Sequence, residues 1–334
     1  MSGLSHIPVM RDDVMAALAI APGDHIVDGT FGGGGYAKAM LDAGAMVTGF
    51  DRDPRAIARA EPMVAAAAGR LRLVNQSFST MAQALGESVA DGVALDLGFS
   101  SIQMDDPAYG LSFQSDGPLD MRLSGEGETA ADFLNSASET EIADVLFQYG
   151  DEKASRRIAR AIVADRPFST TAELAGLIRR VLKQPRDVKR DPATRSFQAI
   201  RIRVNDELGE LERGLVAAEA VLRPGGRLAV VSFHSLEDRI VKRFLAERSG
   251  SLPAGSRHRP ESGPGRMASF ERPDKARRPA ASEIEANPRA RSATLRVARR
   301  GSGPAWGGVL PDSGNGAARV QSHIGEREAG RWQA

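Results

Sequence analysis

The chain contains no cysteine, only five histidines and few aromatic residues, which make up 5% of its 334 residues. The absence of cysteine excludes disulfides, thiolate metal sites and cysteine nucleophiles. The histidines are scattered without the spacing of metal ligands, so we expect no metal. No apolar run approaches the roughly 18 residues of a membrane span, and residues 1–10 lack a signal-peptide pattern. We therefore expect a cytoplasmic protein with no membrane partner.

Positive and negative charges nearly cancel over the whole chain, but they are unevenly distributed along it. The formal net charge is +1. The length suffices for one large domain or one domain with an insertion, and the 42% of hydrophobic residues can form a sizeable core. Residues 1–152 hold 8 Lys and Arg against 23 Asp and Glu, whereas residues 153–203 hold 14 against 4. The basic middle predicts a polyanionic partner, although a solvated helical surface would carry the same charges.

Glycine is abundant at one place, where four glycines follow one another at Gly32 to Gly35. An apolar run at residues 25–27 precedes this loop and a helical pattern at 37–41 follows it, which indicates strand, loop and helix. Four glycines cost backbone entropy, so a plain turn would rarely use them. They allow close approach of a ligand, and the helix start offers free N–H groups. The loop therefore predicts a nucleotide-type cofactor site.

The remaining pattern indicates an α/β fold with a doubly wound parallel sheet. Strand-like segments lie at residues 25–27, 46–50, 71–75, 89–97, 227–233 and 292–299. Ligands of such sheets bind beyond the carboxyl ends of the strands. The side chains at such ends are Asp28, Asp51, Phe78 and Asp96.

A second pattern divides the chain into domains. Residues 105–191 show short helical patterns, no strand candidate and the highest positive charge, which predicts an inserted helical subdomain suited to a polyanionic partner. The flanking segments 1–104 and 192–300 then form the two parts of the core. The second part begins with one long helix over 192–222, and we expect a disordered tail at 301–334.

Two cofactors fit the glycine loop. Gly32, Gly34 and Ala37 match the dinucleotide spacing, which is a weak signal by itself. Asp28 stands where the ammonium of an amino acid could be held, and a Pro-Gly-Gly turn opens the fifth strand. As a set, these features resemble class I S-adenosylmethionine-dependent methyltransferases more than nicotinamide enzymes.

The segment after the fourth strand suggests the reaction. An amino group conjugated to a base ring is a poor nucleophile, so hydrogen-bond acceptors must surround it and take its proton. Asp96 and Ser100 supply such groups and are the candidate catalytic residues, and Phe99 offers a plane for stacking, unless it is a core aromatic. This arrangement resembles the loop of exocyclic-amine methyltransferases.

Eight separated motifs then agree in order with one family. They are HIPV (6–9), DGTFGGGG (28–35), DRDP (51–54), LDLGFSS (95–101), GPLDMR (117–122), PATRSFQAIR (192–201), SFHSLEDR (232–239) and NPRARS (287–292). The chain resembles the bacterial 16S rRNA (cytosine-N4)-methyltransferases of the MraW/RsmH family over residues 6–300. The resemblance implies a mostly parallel, Rossmann-like sheet of seven strands and methylation of a decoding-centre cytidine, cytidine 1402 in the family, at N4. The 16S rRNA of the small ribosomal subunit is the implied partner, and a homodimer is a further expectation.

The resemblance also implies the site residues. The cofactor contacts fall on Gly33, Gly34, Gly35, Tyr36, Asp51, Phe78, Asp96 and Gln103. The glycines would pass under the methionine part, Asp51 would hold the ribose and Phe78 would flank the adenine. Asp96 and Gln103 would lie toward the reacting end. Tyr36 departs from the family, which usually has His there, and a contact through its side chain is therefore in doubt.

RNA contacts are expected on the basic subdomain and beside the cavity. The candidates are Phe99, Arg156, Arg157, Arg160, Arg195 and His234, although a lone histidine is more often structural. Two other functions fit the sequence: a methyltransferase of the same fold that acts on DNA amines or protein, and an RNA-binding assembly factor that keeps the cofactor pocket without turnover.

Overall fold

The computed structural model describes residues 8–183, 191–251 and 266–307, with a six-stranded sheet at its centre. The strands are β1 (His25–Asp28), β2 (Met46–Phe50), β3 (Leu71–Val74), β4 (Ala90–Asp96), β5 (Leu222–Ser232) and β6 (Thr294–Arg299). Their order is β3-β2-β1-β4-β5-β6; β1 to β5 are parallel, and β6 is antiparallel to β5. The predicted Rossmann-like α/β fold is confirmed, and the order reverses between β1 and β4, which opens a crevice there.

The number of strands differs from the seven that were expected, since the described residues contain six. The segment before β6 runs along its free edge without forming a strand. The amides of Glu271, Asp274 and Arg277 donate to carbonyls of β6. The donors of this segment are three residues apart, whereas their acceptors in β6 are two residues apart. Pro273 also has no N–H to donate, so a regular ladder of hydrogen bonds cannot form.

Fourteen helices are present in the described part of the chain. They are α1 (Arg11–Leu18), α2 (Gly35–Asp42), α3 (Pro54–Arg59), α4 (Glu61–Ala66), α5 (Met81–Leu85), α6 (Ser101–Asp105), α7 (Ala130–Ser136), α8 (Glu139–Gly150), α9 (Ser155–Asp165), α10 (Thr171–Leu182), α11 (Thr194–Val204), α12 (Glu207–Val221), α13 (Ser235–Arg248) and α14 (Ala281–Ala286). Short 3-10 helices span Phe78–Thr80, Pro107–Tyr109 and Pro288–Ser292. Within these described residues, no helix has both the length and the apolar character needed to span a membrane.

The two faces of the sheet are covered by separate hydrophobic clusters. Successive residues of a strand point to opposite faces, and accordingly Ile26 belongs to one cluster and Val27 to the other. Met40 of α2 packs in the first cluster, whereas Leu215 of α12 and Phe244 of α13 pack in the second. The sheet is thus buried on both sides, and ligands reach it only at the strand ends.

The single long helix expected over 192–222 is two helices that meet at a corner. Asp206 has a left-handed backbone, with φ 45°, which ends the first helix. The side chain of Asn205 holds the corner: it accepts from the Leu123 amide at 2.9 Å and donates to the carbonyls of Met121 and Arg201 at 2.8 and 3.0 Å. The prediction was wrong because both helices carry the same three-and-four spacing of apolar residues.

The helices from α7 to α11 form a helical layer with a hydrophobic cluster of its own. This cluster extends from Tyr109 to Ile200 and therefore includes α11, beyond the boundary expected at 191. Helix α11 crosses α8 closely, since a Cβ on Gly150 would lie 2.6 Å from the carbonyl oxygen of Arg195.

The first seven residues of the tail expected at 301–334 are ordered against the core. Trp306 donates from Nε1 to the Met267 carbonyl at 2.9 Å, and its amide donates to the buried Glu219 carboxylate at 3.2 Å. Residues 301–307 therefore pack on the core. The rest of the predicted tail, 308–334, lies outside the described residues.

Candidate functional site

A cavity of about 790 Å³ lies at the carboxyl ends of β1, β2 and β4. The predicted site residues that line it are Gly33, Gly35, Tyr36, Asp51, Phe78, Asp96, Phe99, Ser100 and Gln103. Gly34 belongs to the same loop, and His234 stands beside the cavity between two residues that line it, Phe233 and Glu237. A cavity of this volume suits a nucleoside-sized ligand.

The glycine loop turns at two positive φ angles, 52° at Gly32 and 75° at Gly34. A Cβ on Gly34 would lie 2.8 Å from atoms of Phe31 and Met63, so this glycine is required by packing within the protein. A Cβ on Gly33 would meet nothing closer than Ile102, at 3.8 Å. Gly33 therefore leaves bare backbone that a ligand can approach.

Asp51 holds the glycine loop as well as facing the cavity. Its Oδ2 accepts from the Gly32 amide and its Oδ1 from the Asp53 amide, each at 2.8 Å. Burial raises the pKa of Asp51, and these two hydrogen bonds oppose the shift. Each carboxylate oxygen keeps a second lone pair, so a hydroxyl donor in the cavity can still bind.

Two other carboxylates of the cavity each have a buried oxygen without a hydrogen-bond partner in the described residues: Asp28 Oδ2 and Asp96 Oδ1. Burial raises the pKa of Asp28 to about 7, against a hydrogen bond from Thr30, and the charge of Asp51 adds to the shift. Burial also raises the pKa of Asp96 well above its usual range, with contributions from Asp28 and Glu237. Unpartnered carboxylate oxygens fit a ligand that brings ammonium or amine donors.

Tyr36 uses its hydroxyl within the protein. The ring is buried, and the hydroxyl donates to the Val9 carbonyl at 2.5 Å. Beside it, a Cβ on Gly35 would lie 2.2 Å from Pro8 Cγ. The segment of Pro8 and Val9 thus covers the glycine loop, and the Tyr36 side chain anchors this cover.

Helix α12 places Phe78 in the cavity wall. A Cβ on Gly214 would lie 2.0 Å from Phe78 Cε2, so only glycine allows this approach. The buried carboxylate of Glu210 accepts from the amide and the hydroxyl of Ser79 at 3.0 and 2.8 Å. Neither Gly214 nor Glu210 was predicted from the sequence, although a glycine inside a helix is a signal of close packing.

Ser100 and Gln103 form a reciprocal capping box at the start of α6. Ser100 Oγ accepts from the Gln103 amide at 3.2 Å, and Gln103 Oε1 accepts from the Ser100 amide at 2.9 Å. Gln103 Nε2 also donates to buried Asp53 at 3.0 Å. The polar atoms of Gln103 are therefore engaged within the protein, whereas the Ser100 hydroxyl can still donate its proton.

His234 is paired with a carboxylate that the sequence analysis did not single out. His234 Nε2 lies 3.1 Å from Glu237 Oε1, and the Phe233 amide donates to Glu237 Oε2 at 2.8 Å. Burial opposes ionisation of Glu237, but His234, the Phe233 amide and the charge of Arg201 together hold the pKa of Glu237 below its usual value. The cavity wall thus contains two carboxyl groups of opposite character: Glu237, which is ionised, and Asp96, whose pKa is raised.

The predicted basic residues lie on the surface of the helical layer and do not line the cavity. Arg156, Arg157 and Arg160 are exposed on α9, where Arg160 lies 3.5 Å from Glu139. Arg195 is exposed on α11 and donates to the Asp151 carbonyl at 3.0 Å. Such side chains can reach phosphates, but they cannot contact a group inside the cavity.

Glu207, His234 and Glu237 bring potential ligand atoms within 4.8 Å of one another. Arg201, however, donates to both oxygens of Glu207, at 2.7 and 2.9 Å. A guanidinium therefore already supplies the positive charge at this cluster.

Residues 3–301 match the model of the MraW methylase family. The ribosomal RNA small subunit methyltransferase H of Sphingopyxis alaskensis is 59% identical over 307 residues, which cover 91% of this chain and 94% of that protein. The protein of that name from Novosphingobium aromaticivorans is 57% identical, covering 90% and 94%, and that from Caulobacter vibrioides is 53% identical, covering 92% and 99%.

Proposed function

Because the chain belongs to the MraW methylase family of S-adenosylmethionine-dependent methyltransferases, we propose that it methylates the N4 amine of a decoding-centre cytidine in 16S rRNA. Relatives that align with nine-tenths of the chain are named as methyltransferases of small-subunit ribosomal RNA. The observation that carries the proposal is the position of Asp96 and Phe99, a carboxylate and an aromatic ring in the wall of the cofactor cavity.

The residues of the cavity fit S-adenosylmethionine. Unpartnered Asp28 Oδ2 suits the ammonium of the methionine part, and the bare backbone at Gly33 allows this part to pass. Asp51 retains lone pairs for the ribose hydroxyls, and Phe78 provides an apolar wall for the adenine. When bound, the cofactor supplies an electrophilic methyl group.

Asp96 and Ser100 then act on the amine of the substrate. An exocyclic amine donates two hydrogens, and the free Oδ1 of Asp96 accepts one of them, which directs the nitrogen lone pair. Because burial raises the pKa of Asp96, its carboxylate in the ionised form is a stronger base than a free aspartate and can take the proton that N4 loses after methyl transfer. Ser100 contributes its hydroxyl at the same edge. The cytosine reaches these groups by leaving its stack and lying on Phe99.

The helical layer holds the RNA by its phosphates in this proposal. Exposed Arg156, Arg157, Arg160 and Arg195 fix the position of the substrate without reading its sequence. Replacing the three arginines of α9 by glutamine should weaken binding of small subunits, and more at low salt than at high salt. A matched control is the Arg179→Gln, Arg180→Gln variant, since both side chains are paired with aspartates, at 2.7 and 3.1 Å. An equal loss of small-subunit binding in both variants would show that α9 is not the RNA-binding surface.

The decisive experiment is mass spectrometry of 16S rRNA from a strain that lacks this protein. N4-methylcytidine should disappear at one decoding-centre position and return with the intact gene, but not with Asp96→Asn. In vitro, label from S-adenosylmethionine should enter small subunits and not DNA or protein. Label in DNA or protein alone would refute the RNA substrate, and the absence of any transfer, with cofactor bound, would indicate an assembly factor.

A further inference from the structure

Arg201 of α11 is a buried arginine that lies behind the cavity. Only 9% of its surface is exposed, and it is not among the residues that line the cavity. Its Nε and Nη2 donate to the two oxygens of Glu207 at 2.7 and 2.9 Å. A bidentate pair of this kind fixes the plane of the guanidinium, which a lysine could not do. Glu207 itself lines the cavity.

The guanidinium covers one face of Phe99. Arg201 Cζ lies 4.3 Å from the centroid of the Phe99 ring, close enough for a cation–π contact. Phe99 lines the cavity, whereas Arg201 does not. The guanidinium occupies one face of the ring, so a ligand that stacks on Phe99 must use the other face.

Phe99 lies beyond the end of β4, so its ring is held by side-chain packing, with Arg201 and with the hydrophobic cluster of the helical layer. It follows Gly98, which is exposed and has a φ of 101° just beyond the end of β4. A Cβ on Gly98 would meet only Phe233, at 3.9 Å. The position of the ring is therefore set by what packs against it rather than by the strand.

Arg201 is also connected to the cofactor side of the cavity. Asn205 donates to the Arg201 carbonyl at 3.0 Å, and Arg52, which follows Asp51 in the chain, donates to the Asn205 carbonyl at 2.9 Å. The corner between α11 and α12 thus connects Arg52, at the end of β2, with Arg201, which packs on Phe99.

We propose that Arg201, held by Glu207, is a positioning residue that fixes the Phe99 ring as the surface on which the target base stacks. The inference rests on the proposed function, because it requires a base in the cavity. Arg201 touches neither the cofactor nor the base and acts through Phe99. Misplacing a reacting group by about 1 Å can cost about 100-fold in rate, so a large effect on turnover is expected without an effect on cofactor affinity.

The test compares Arg201→Met and Arg201→Lys with the wild-type protein, using small subunits that lack the modification. The Met variant should lower kcat by about 10- to 100-fold and change the Kd of S-adenosylhomocysteine by less than about twofold. The Lys variant should recover part of the lost kcat, since lysine keeps the positive charge but cannot form the bidentate contact with Glu207. Combining Arg201→Met with Phe99→Leu should cost no more than Phe99→Leu alone.

Arg203 provides a matched control on the same helix. It lies over Phe133 at 5.1 Å and near Glu128 and Glu141, at 3.4 and 3.7 Å, away from the cavity. Arg203→Met should leave kcat within about twofold of the wild type. An equal loss in Arg203→Met, unchanged kcat in Arg201→Met, or additive losses with Phe99→Leu would each overturn the inference. Identification of the methylated nucleoside made by the wild type tests the proposed function separately.

Discussion

The affinity of the protein for its cofactor should rise with pH between 5 and 7, because Asp28 loses its proton in this range. Burial raises the pKa of Asp28 to about 7, and only the ionised carboxylate attracts an ammonium strongly. The ammonium of the ligand keeps its proton throughout this range, since an α-amino group has a pKa of about 7.7–8.0. The change in affinity therefore reports the protein group.

The magnitude follows from the ionised fraction of Asp28. With a pKa of about 7, about 1% of the carboxyl is ionised at pH 5 and about half at pH 7. If binding requires the ionised form, Kd falls about 50-fold, which corresponds to about 2.3 kcal/mol.

Folding of the unliganded protein should depend on pH in the opposite sense. The folded state holds the Asp28 proton more tightly than the unfolded state, so this stabilisation is complete below about pH 4 and is lost as the pH rises toward 7. Rising pH should thus weaken folding while it strengthens binding, a combination that a general change in stability cannot produce.

The assay is calorimetry with S-adenosylhomocysteine, which keeps the amino-acid part and is not turned over. The Asp28→Asn variant should bind like the wild type at pH 5 and show little increase toward pH 7. A wild-type Kd that is constant or rises over this range would refute the reasoning. A full increase that persists in Asp28→Asn would assign the titration to another carboxylate.

Three further substitutions test the construction of the site. Gly214→Ala should displace Phe78 and raise the Kd of S-adenosylhomocysteine about tenfold. Its control is Gly176→Ala, because a Cβ on Gly176 would lie no closer than 3.9 Å to any atom. This variant should leave Kd unchanged and stabilise the fold by up to about 1 kcal/mol. Asn205→Ala leaves buried partners unpaired and should lower the free energy of unfolding in urea by about 2–4 kcal/mol. Tyr36→Phe should lower it by about 1–2 kcal/mol with no effect on Kd; a weaker Kd would show that the hydroxyl contacts the cofactor.

The sheet and its cofactor loop could be predicted from sequence because their signals are local. Apolar runs, the glycines and the acidic residues at strand ends are adjacent in the chain, and parallel strands bring their carboxyl ends to one edge. Asp28, Asp51 and Asp96 therefore had to lie together. The resemblance implied seven strands and the described residues contain six, because a proline-containing segment occupies the edge of β6 there.

The supports of the site could not be predicted because they join distant parts of the chain. Nothing local indicates that Gly214 faces Phe78 or that Arg201 covers Phe99, since both contacts depend on where α11 and α12 turn. Ser100 and Gln103 show the converse case. Their spacing is a capping-box signature that was visible in the sequence, yet both were interpreted only by their chemistry.

The cover of the glycine loop joins residues that are synthesised at very different times. Pro8 lies against Gly35, and the next segment is held by a hydrogen bond from the Met10 amide to Glu283, across 273 positions. Asn287 and Ser292 line the same cavity from the far side. Strands β1 to β4 can form early in synthesis, together with the loops that hold the cofactor. The segment of Pro8 and Val9 is held over the cavity only after Glu283 and β6 have left the ribosome. Products that terminate before this point should therefore lack part of the cavity wall and bind S-adenosylmethionine more weakly than the complete chain.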